Sequence, residues 1–171
     1  MKNMKILKYG SPVLRKKAAK ITRIDQRIKE LAEAMMKSMH ASKGIGLAAN
    51  QIGILERLVT VDTGRGEKKG DVLCLVNPEI TEHEGSARFE EGCLSFPEIF
   101  ADVDRPAKVR VKYQDLEGAV CEVAAEGVLA RVLQHEIDHL NGVLFVDKIS
   151  KIKYLLLSKR LKELERATRA K

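Results

Sequence analysis

The chain has 171 residues, of which 44% are hydrophobic and 32% charged, and it carries a net charge of +7. This length and composition fit one folded domain without disulfides, and they exclude a disordered chain and a membrane span. Because only 4% of the residues are aromatic and there is no tryptophan, a surface that stacks on nucleic-acid bases is also excluded. We therefore expect no membrane partner and no sequence-specific nucleic-acid partner, whereas the charge fits either a solvated surface or one that faces nucleic acid or the ribosome. The first residues lack the apolar run of a secretory signal, which predicts a cytoplasmic protein.

The N-terminal part of the chain predicts two helices and a loop. Ser11 followed by Pro12 is typical of a helix start and predicts a short helix over residues 13–18. Asp25 is placed to cap a longer helix, whose apolar residues recur every three or four positions. These residues are Ile24, Ile28, Leu31, Met35 and Met39. Residues 44–53 are small and apolar, and they predict a loop.

The middle of the chain predicts short antiparallel strands. Strand-like runs cover residues 57–63, 72–76 and 80–83. The polar, glycine-rich segment 64–70 predicts a hairpin loop between the first two runs. Alternating apolar residues predict a further hairpin, with strands at 108–114 and 119–124 and a turn at 115–118.

Two further helices are expected in the C-terminal third. Residues 128–140 are apolar on most sides, which predicts a buried helix that ends at Asn141-Gly142. Ser150 is placed to cap a last, basic helix that reaches about residue 167. Its predicted inward residues are Ile152, Leu156 and Leu164. The whole predicts a single α+β domain over residues 1–171, with antiparallel or mixed sheets around a central helix, N-terminal helices and a C-terminal helix.

The strongest chemical signal is an HExxH motif in the buried helix. His135 and His139 are four residues apart, one helical turn, so two imidazoles can bind one metal ion. Glu136 follows His135 and can reach a water on that metal. Two solvated histidines on a surface helix are the alternative, but the apolar surroundings oppose it because unpartnered polar groups are costly to bury.

A catalytic site of this kind needs a third protein ligand and one open position. The chain has three cysteines, and an odd count without an export signal favours a metal or catalytic role over a disulfide framework. Cys74 and Cys121 lie in apolar runs typical of buried strands. We favour Cys93, because its neighbours Gly92 and Pro97 indicate a loop from which a thiolate can point at a metal.

Three segments together resemble the peptide deformylase family, and they occur in the family's order. They are the residues GIGLAANQ at 44–51, EGCLS at 91–95 and QHEIDHLNG at 134–142. The resemblance implies that Cys93, His135 and His139 bind one divalent metal ion, with water as the fourth ligand. It also implies ferrous iron as the native metal, which zinc, nickel or cobalt can replace, and a bacterial cytoplasmic enzyme.

The resemblance further implies the reaction and its partners. Such an enzyme hydrolyses the N-formyl group of the formyl-methionine that begins a nascent polypeptide, with Glu136 as the acid and base. The Gln51 side chain and the Leu94 backbone N–H would donate hydrogen bonds to the oxyanion. The basic C-terminal helix can dock near the ribosomal exit in this family, so the ribosome is a further candidate partner.

Several residues are candidates for lining the methionine pocket. Val128, Arg131 and Val132 share the helix face of His135. Ile45, Gly46 and Phe100 complete the predicted set, and the small residues of 44–49 would let a peptide pair along the backbone as an added strand. Many family members carry an arginine where this chain has Phe100, a departure that concerns substrate contacts beyond the first residue.

Two other classes of protein are compatible with parts of the pattern. A general HExxH metallopeptidase takes its third ligand downstream, where this chain offers no histidine and only Glu163 and Glu165. A zinc-stabilised, basic RNA- or ribosome-binding module would instead need four protein ligands and no open position.

Overall fold

A computed structural model of the protein describes residues 4–64 and 71–170. The predicted hairpin loop at 64–70 therefore lies outside the described residues, apart from Gly64. In chain order the helices and strands are α1 (Gln26–Ala41), β1 (Gly46–Ala48), β2 (Leu58–Asp62), β3 (Val72–Glu84), β4 (Ala87–Cys93), β5 (Phe96–Arg105), β6 (Lys108–Gln114), β7 (Val120–Glu126), α2 (Gly127–Leu140) and α3 (Lys151–Arg169). Short 3-10 helices cover Pro12–Arg15, Ala49–Ile52 and Phe145–Asp147.

An antiparallel sheet in the order β1-β2-β3-β6-β7 lies between α1 and α2. Alternate residues of a strand point to opposite faces of a sheet. In β2, Val59 and Val61 pack with residues of α2, whereas Leu58 packs with residues of α1. The central helix is therefore held over one face of the sheet, as predicted, and the single α+β domain is confirmed.

A separate two-stranded sheet, β4–β5, was not predicted. It is a hairpin whose turn is Leu94-Ser95, with Cys93 paired to Phe96. The inner side of β5 packs against α3 and the 3-10 helix at Phe145–Asp147. These elements enclose an apolar cluster with the buried residues Leu14, Phe96, Ile99, Ala101, Val103, Leu144, Phe145, Val146 and Leu161.

Most predicted elements are confirmed close to their expected bounds. Asp25 caps α1 by accepting a hydrogen bond from the Ile28 backbone N–H at 3.1 Å. The β6–β7 hairpin turns where expected, because Asp115 accepts hydrogen bonds from the backbone N–H groups of Glu117 and Ala119, both at 2.9 Å. Helix α2 begins one residue before its predicted start, at Gly127, and ends as predicted at Leu140.

Three predictions for the first half of the chain need correction. The short helix predicted at 13–18 is a single 3-10 turn over Pro12–Arg15, because Lys16 is already extended. The loop predicted at 44–53 contains β1 and a 3-10 helix. The two runs predicted at 72–76 and 80–83 form one strand, β3, whose pairing with β6 shifts where Asn77 adopts a left-handed conformation with φ 52°.

Of the three residues of α3 predicted to face inward, Leu164 is confirmed, whereas Ile152 and Leu156 are wrong. Ile152 and Leu156 are 73% and 75% exposed, whereas Leu161, which was not predicted, is 2% exposed. Leu157 and Leu164 are partly buried beside Leu161 against the β4–β5 hairpin. Ser150 caps the helix as predicted, accepting a hydrogen bond from the Lys153 N–H at 3.2 Å. None of the helices in the described residues is both long and apolar enough to cross a membrane.

We expect Leu161→Ala to destabilise the protein by about 2–5 kcal/mol, because the truncation leaves a cavity in a closed cluster. The matched control is Leu156→Ala, which removes the same atoms from a side chain that is 75% exposed and should change stability by less than about 0.5 kcal/mol. Urea unfolding of both variants measures the difference. Equal midpoints would contradict the packing of α3 described above.

Candidate metal centre

Helix α2 carries His135, Glu136 and His139 into the interior, where they are 8%, 4% and 1% exposed. They are buried because Leu133, Ile137 and their apolar neighbours anchor the helix on the sheet. The two Nε2 atoms of His135 and His139 lie 3.2 Å apart. The predicted helical pair therefore converges on one point.

Cys93 supplies the third ligand atom to this point. It is the last residue of β4, beside the hairpin turn, and not part of a loop as we predicted. Its Sγ lies 3.2 Å from the His139 Nε2 atom. Ligand atoms of Cys93, His135 and His139 all lie within 4.8 Å of one another. Cys74 and Cys121, the other candidates, lie in β3 and β7 and are outside this cluster.

The donor set fits a divalent transition metal. One thiolate and two imidazoles form a three-ligand site that leaves a fourth position for water or substrate. Burial lowers the pKa of His139 well below its usual value, and the neighbouring His135 lowers it further. Burial also opposes protonation of His135, but contacts with Cys93 and Glu91 raise its pKa to about 10. Two imidazoles so close cannot both be protonated, whereas a cation between them satisfies both nitrogens and the sulfur.

His135 is oriented by a buried ionic network that the sequence did not reveal. The His135 Nδ1 atom lies 3.1 Å from Glu91 Oε2, so its other nitrogen faces the cluster. Glu91 accepts two hydrogen bonds from Arg105, at 2.6 and 3.0 Å, and one from Arg131 at 2.5 Å. Arg105 also donates to Asp138 at 2.6 Å. Such partners fix the tautomer and direction of a metal-binding histidine.

Glu136 is buried next to the cluster with one carboxylate oxygen lacking a partner. In the described part of the chain, its Oε2 atom has no hydrogen-bond partner. Burial raises the Glu136 pKa to about 7, although the charge of His135 acts in the opposite direction. The Gly46 backbone passes so close that a Cβ there would lie 2.5 Å from Glu136 Oε1 and 2.8 Å from Val132 Cγ1. A larger residue at position 46 would therefore force the Glu136 carboxylate or Val132 to shift.

Gln51 is held with its amide nitrogen towards the cluster. Its Oε1 atom accepts a hydrogen bond from the Ala48 N–H at 2.8 Å, which fixes the amide. Its Nε2 group donates to Ser95 Oγ at 3.2 Å and lies 3.5 Å from Cys93 Sγ. Leu94, the other predicted donor residue, occupies the hairpin turn directly after Cys93. The structure thus brings Gln51 and Leu94 to the same side of the candidate site.

A groove of about 1560 Å³ opens onto this cluster and is lined by all six predicted pocket residues. Ile45, Phe100 and Val128 are 49%, 55% and 67% exposed and form its apolar rim. Val132 lies deeper, at 9% exposure. The guanidinium of Arg131 donates to the Val103 and Ala87 carbonyls at 3.1 and 2.7 Å as well as to Glu91, so its charge is already paired.

The residues that the sequence did not reveal are Glu91, Ser95, Arg105, Asp138 and Asn50. Asn50 donates from Nδ2 to the His139 carbonyl and so fixes the end of α2 against the 3-10 helix at Ala49–Ile52. Glu91 and Ser95 lie within the EGCLS segment, but β4 does not alternate between buried and exposed residues and Ser95 lies in the turn, so no strand pattern indicates their contacts. Arg105 carries no local signal, because its role depends on contacts across the hairpin.

The fold and this site, the one candidate metal site among the described residues, define a hydrolase with an HExxH helix, and comparisons with known proteins identify its family. Residues 3–154 match the family described as polypeptide deformylase. A peptide deformylase of Caldanaerobacter subterraneus subsp. tengcongensis is 54% identical over 144 residues, covering 84% of this chain and 87% of that protein.

Solved structures agree with the sequence matches. A peptide deformylase from Legionella pneumophila is similar with a TM-score of 0.88 and 40% identity, covering 99% of both chains. One from Synechococcus elongatus, in complex with actinonin, gives a TM-score of 0.86 and 39% identity, covering 92% of this chain and 87% of that one. This chain therefore belongs to the peptide deformylase family, which is metal-dependent, and it is an enzyme of that family.

We expect the ionic network to make acid stability depend on Glu91. Burial alone would raise its pKa, but His135 and Arg105 outweigh burial and lower the pKa from 4.5 to about 2. Because the folded-state pKa is depressed, the stabilisation is present above pH 4.5 and is lost as the pH falls towards 2. Urea unfolding of the metal-free protein should therefore show a loss of stability between about pH 4.5 and about pH 2 that Glu91→Gln reduces. The matched control is Glu90→Gln at the exposed neighbouring position, and an identical slope in both variants would contradict the network.

Proposed function

We propose that this protein hydrolyses the N-formyl group from the formyl-methionine at the start of nascent polypeptides and releases formate. The observation that carries the proposal is a buried carboxylate oxygen without a partner, on Glu136, beside three converging ligand atoms of Cys93, His135 and His139. Membership of the peptide deformylase family supports the substrate. Water adds its oxygen to the formyl carbon, the C–N bond breaks, and a proton goes to the departing amine.

We assign the metal site to Cys93, His135 and His139, and ferrous iron is the proposed native ion, with zinc, nickel or cobalt as substitutes. A divalent ion held there would supply Lewis acidity for the attack of water on the formyl carbon. Glu136 takes the proton from the attacking water and later gives it to the amine nitrogen. A pKa of about 7 suits both tasks, because the group must accept and release a proton near neutral pH.

Gln51 and Leu94 are the proposed donors to the oxyanion. The Gln51 amide nitrogen already faces Cys93, and its carbonyl is fixed by the Ala48 N–H, so the donor needs little reorganisation. A backbone N–H at Leu94 is anchored by the hairpin turn. Fixed donors of this kind stabilise charge that develops in the transition state, and each contributes on the order of 3 kcal/mol.

The groove beside the cluster is the proposed substrate site. Ile45, Phe100 and Val128 form its apolar rim. Val132 lies at its base, and the backbone of Gly46 passes beside Val132. An apolar pocket suits a methionine side chain. Because its guanidinium is paired with Glu91 and two carbonyls, Arg131 contributes to the wall of this pocket without a free charge.

The alternatives lack the ligands that they need. Glu163 and Glu165 lie on α3 and are not part of the cluster that Cys93 and the two histidines form in the described residues. A structural zinc module would need a fourth protein ligand, and that cluster contains three. A three-ligand site with an adjacent carboxylate favours the hydrolase.

We further propose a single catalytic domain over residues 1–171, a bacterial cytoplasmic location and contact with the ribosome through α3. The exposed side of this helix carries Lys159, Lys162 and Arg166, spaced along one face, near the exposed side chains Leu155 and Leu156. Clustered cations favour contact with the phosphate backbone of RNA.

Glu136→Gln should retain the metal and lose activity by about 10²- to 10⁴-fold, because the carboxamide cannot exchange a proton with water. Protein purified without oxygen is assayed for metal content and for formate release from a formyl-methionine peptide. Glu126→Gln, just before the start of α2, is the control and should keep full activity. Turnover that survives in Glu136→Gln would show that the proposed mechanism is wrong.

Charge reversal of Lys159, Lys162 and Arg166 to glutamate should weaken ribosome binding and make it less dependent on salt, since it removes cations that contact phosphate. These side chains are exposed, so their substitution leaves the buried Leu161 in place. Deletion of the helix would instead remove Leu161 from the core. Reversal of the exposed residues Lys16, Lys17 and Lys20 is the control. Sedimentation with ribosomes at two salt concentrations measures binding, and equal binding by both triple variants would contradict the proposal.

A further inference from the structure

The N-terminal segment is attached to both parts of the proposed oxyanion site. The Leu7 backbone N–H donates to the Gln51 carbonyl at 2.7 Å, and the Tyr9 N–H donates to the Ser95 carbonyl at 2.9 Å. We call residues 7–9 the N-terminal brace. It connects the 3-10 helix that carries Gln51 with the β4–β5 turn that follows Cys93.

The side chain of Lys8 makes the third contact of this brace. Its Nζ atom donates to the Leu94 carbonyl at 2.6 Å, between residues that are 86 positions apart. Lys8 is half-buried, and no ion pair among the described residues includes it. The brace itself is backed by α3, because Gly10, with φ +102°, lies so close to Glu165 that a Cβ would come within 2.9 Å of its backbone. A lysine in a segment that is hydrogen-bonded on both sides of it therefore points at the turn.

The peptide group that accepts the Lys8 hydrogen bond also contacts Cys93, the proposed metal ligand. The carbonyl that accepts from Lys8 belongs to the Leu94–Ser95 peptide, and the N–H of the same peptide lies 3.4 Å from Cys93 Sγ. A charged donor on the carbonyl polarises a peptide and strengthens its N–H as a donor. Lys8 thus affects the Cys93 sulfur through the Leu94–Ser95 peptide. The preceding peptide, Cys93–Leu94, carries the Leu94 N–H.

We propose that Lys8 is a positioning residue, which holds the Leu94-Ser95 turn so that the Leu94 N–H faces the substrate and the Ser95 N–H faces Cys93 Sγ. The inference rests on the proposed function only for the role of Leu94. A lysine that merely stabilised the fold would change the free energy of unfolding without changing the geometry of the turn. Loss of the contact should therefore lower kcat and leave KM unchanged, because the oxyanion donor acts in the transition state.

The kinetic test compares three variants with the parent protein on a formyl-methionine peptide. Lys8→Met removes the ammonium and should lower kcat by about 10- to 100-fold with an unchanged KM. Lys8→Arg keeps a cationic donor and should recover most of that loss. The control Lys5→Met removes an exposed lysine from the same segment and should have no effect. A higher KM with unchanged kcat would overturn the proposal, since it would make Lys8 a substrate contact.

A spectroscopic test does not need turnover. In the cobalt-substituted protein, weakening of the Ser95 hydrogen bond should shift the thiolate-to-cobalt absorption band of Lys8→Met to longer wavelength, with Lys8→Arg and Lys5→Met unshifted. Lys8→Leu, which also removes the donor, serves in place of Lys8→Met if the latter does not unfold cooperatively. An unshifted band in folded protein overturns the role of Lys8, whatever the activity. If the parent protein releases no formate, the proposed function fails while the band still decides on Lys8.

Discussion

The pairing of Glu91 with Arg105 fixes the position of the β4–β5 hairpin against α2, and the metal centre depends on it. Both side chains are almost fully buried, so an isolated partner would carry a large desolvation cost. Glu91 also contacts His135, and Arg105 also donates to Asp138, both on α2. A buried ionic network of this kind is fully paired in one alignment of the strand against the helix. That alignment brings Cys93, two residues beyond Glu91, to the histidines.

The part of the site that the sequence predicts is the part that one helix encodes. His135 and His139 are related by the period of the helix, and apolar residues on the same element indicate burial before any contact is known. Cys93 was selected for a loop setting that it does not have, and the structure brings it to the cluster from the end of a strand. Its place in the cluster follows from the contact of the hairpin with α2, which no spacing in the sequence indicates.

The hairpin and α3 show why the remaining parts were missed. In β5 the buried residues alternate from Ile99 to Arg105, but Glu98, at φ 59°, interrupts the alternation after Phe96, and Arg105 occupies a buried position where an apolar residue is expected. The two-residue period that marks a strand is therefore present only from Ile99 onward, and it is broken at both ends of this segment. In α3, leucines occupy three successive positions from 155 to 157, so the inward side is set by contact with the hairpin and not by periodicity.

Metal binding and folding are coupled in this arrangement. The sulfur comes from the hairpin and the nitrogens come from α2, so the site exists only when the two elements are docked. An ion that binds only this state stabilises it by RT ln(1 + [M]/Kd), about 4 kcal/mol when the free ion is a thousandfold above its Kd. The brace holds the hairpin turn from its other side, through Lys8 and Tyr9. In the proposed mechanism, the turn that presents Leu94 would be fixed on one side by the ion and on the other by the N-terminal segment, which would leave little reorganisation for the reaction itself.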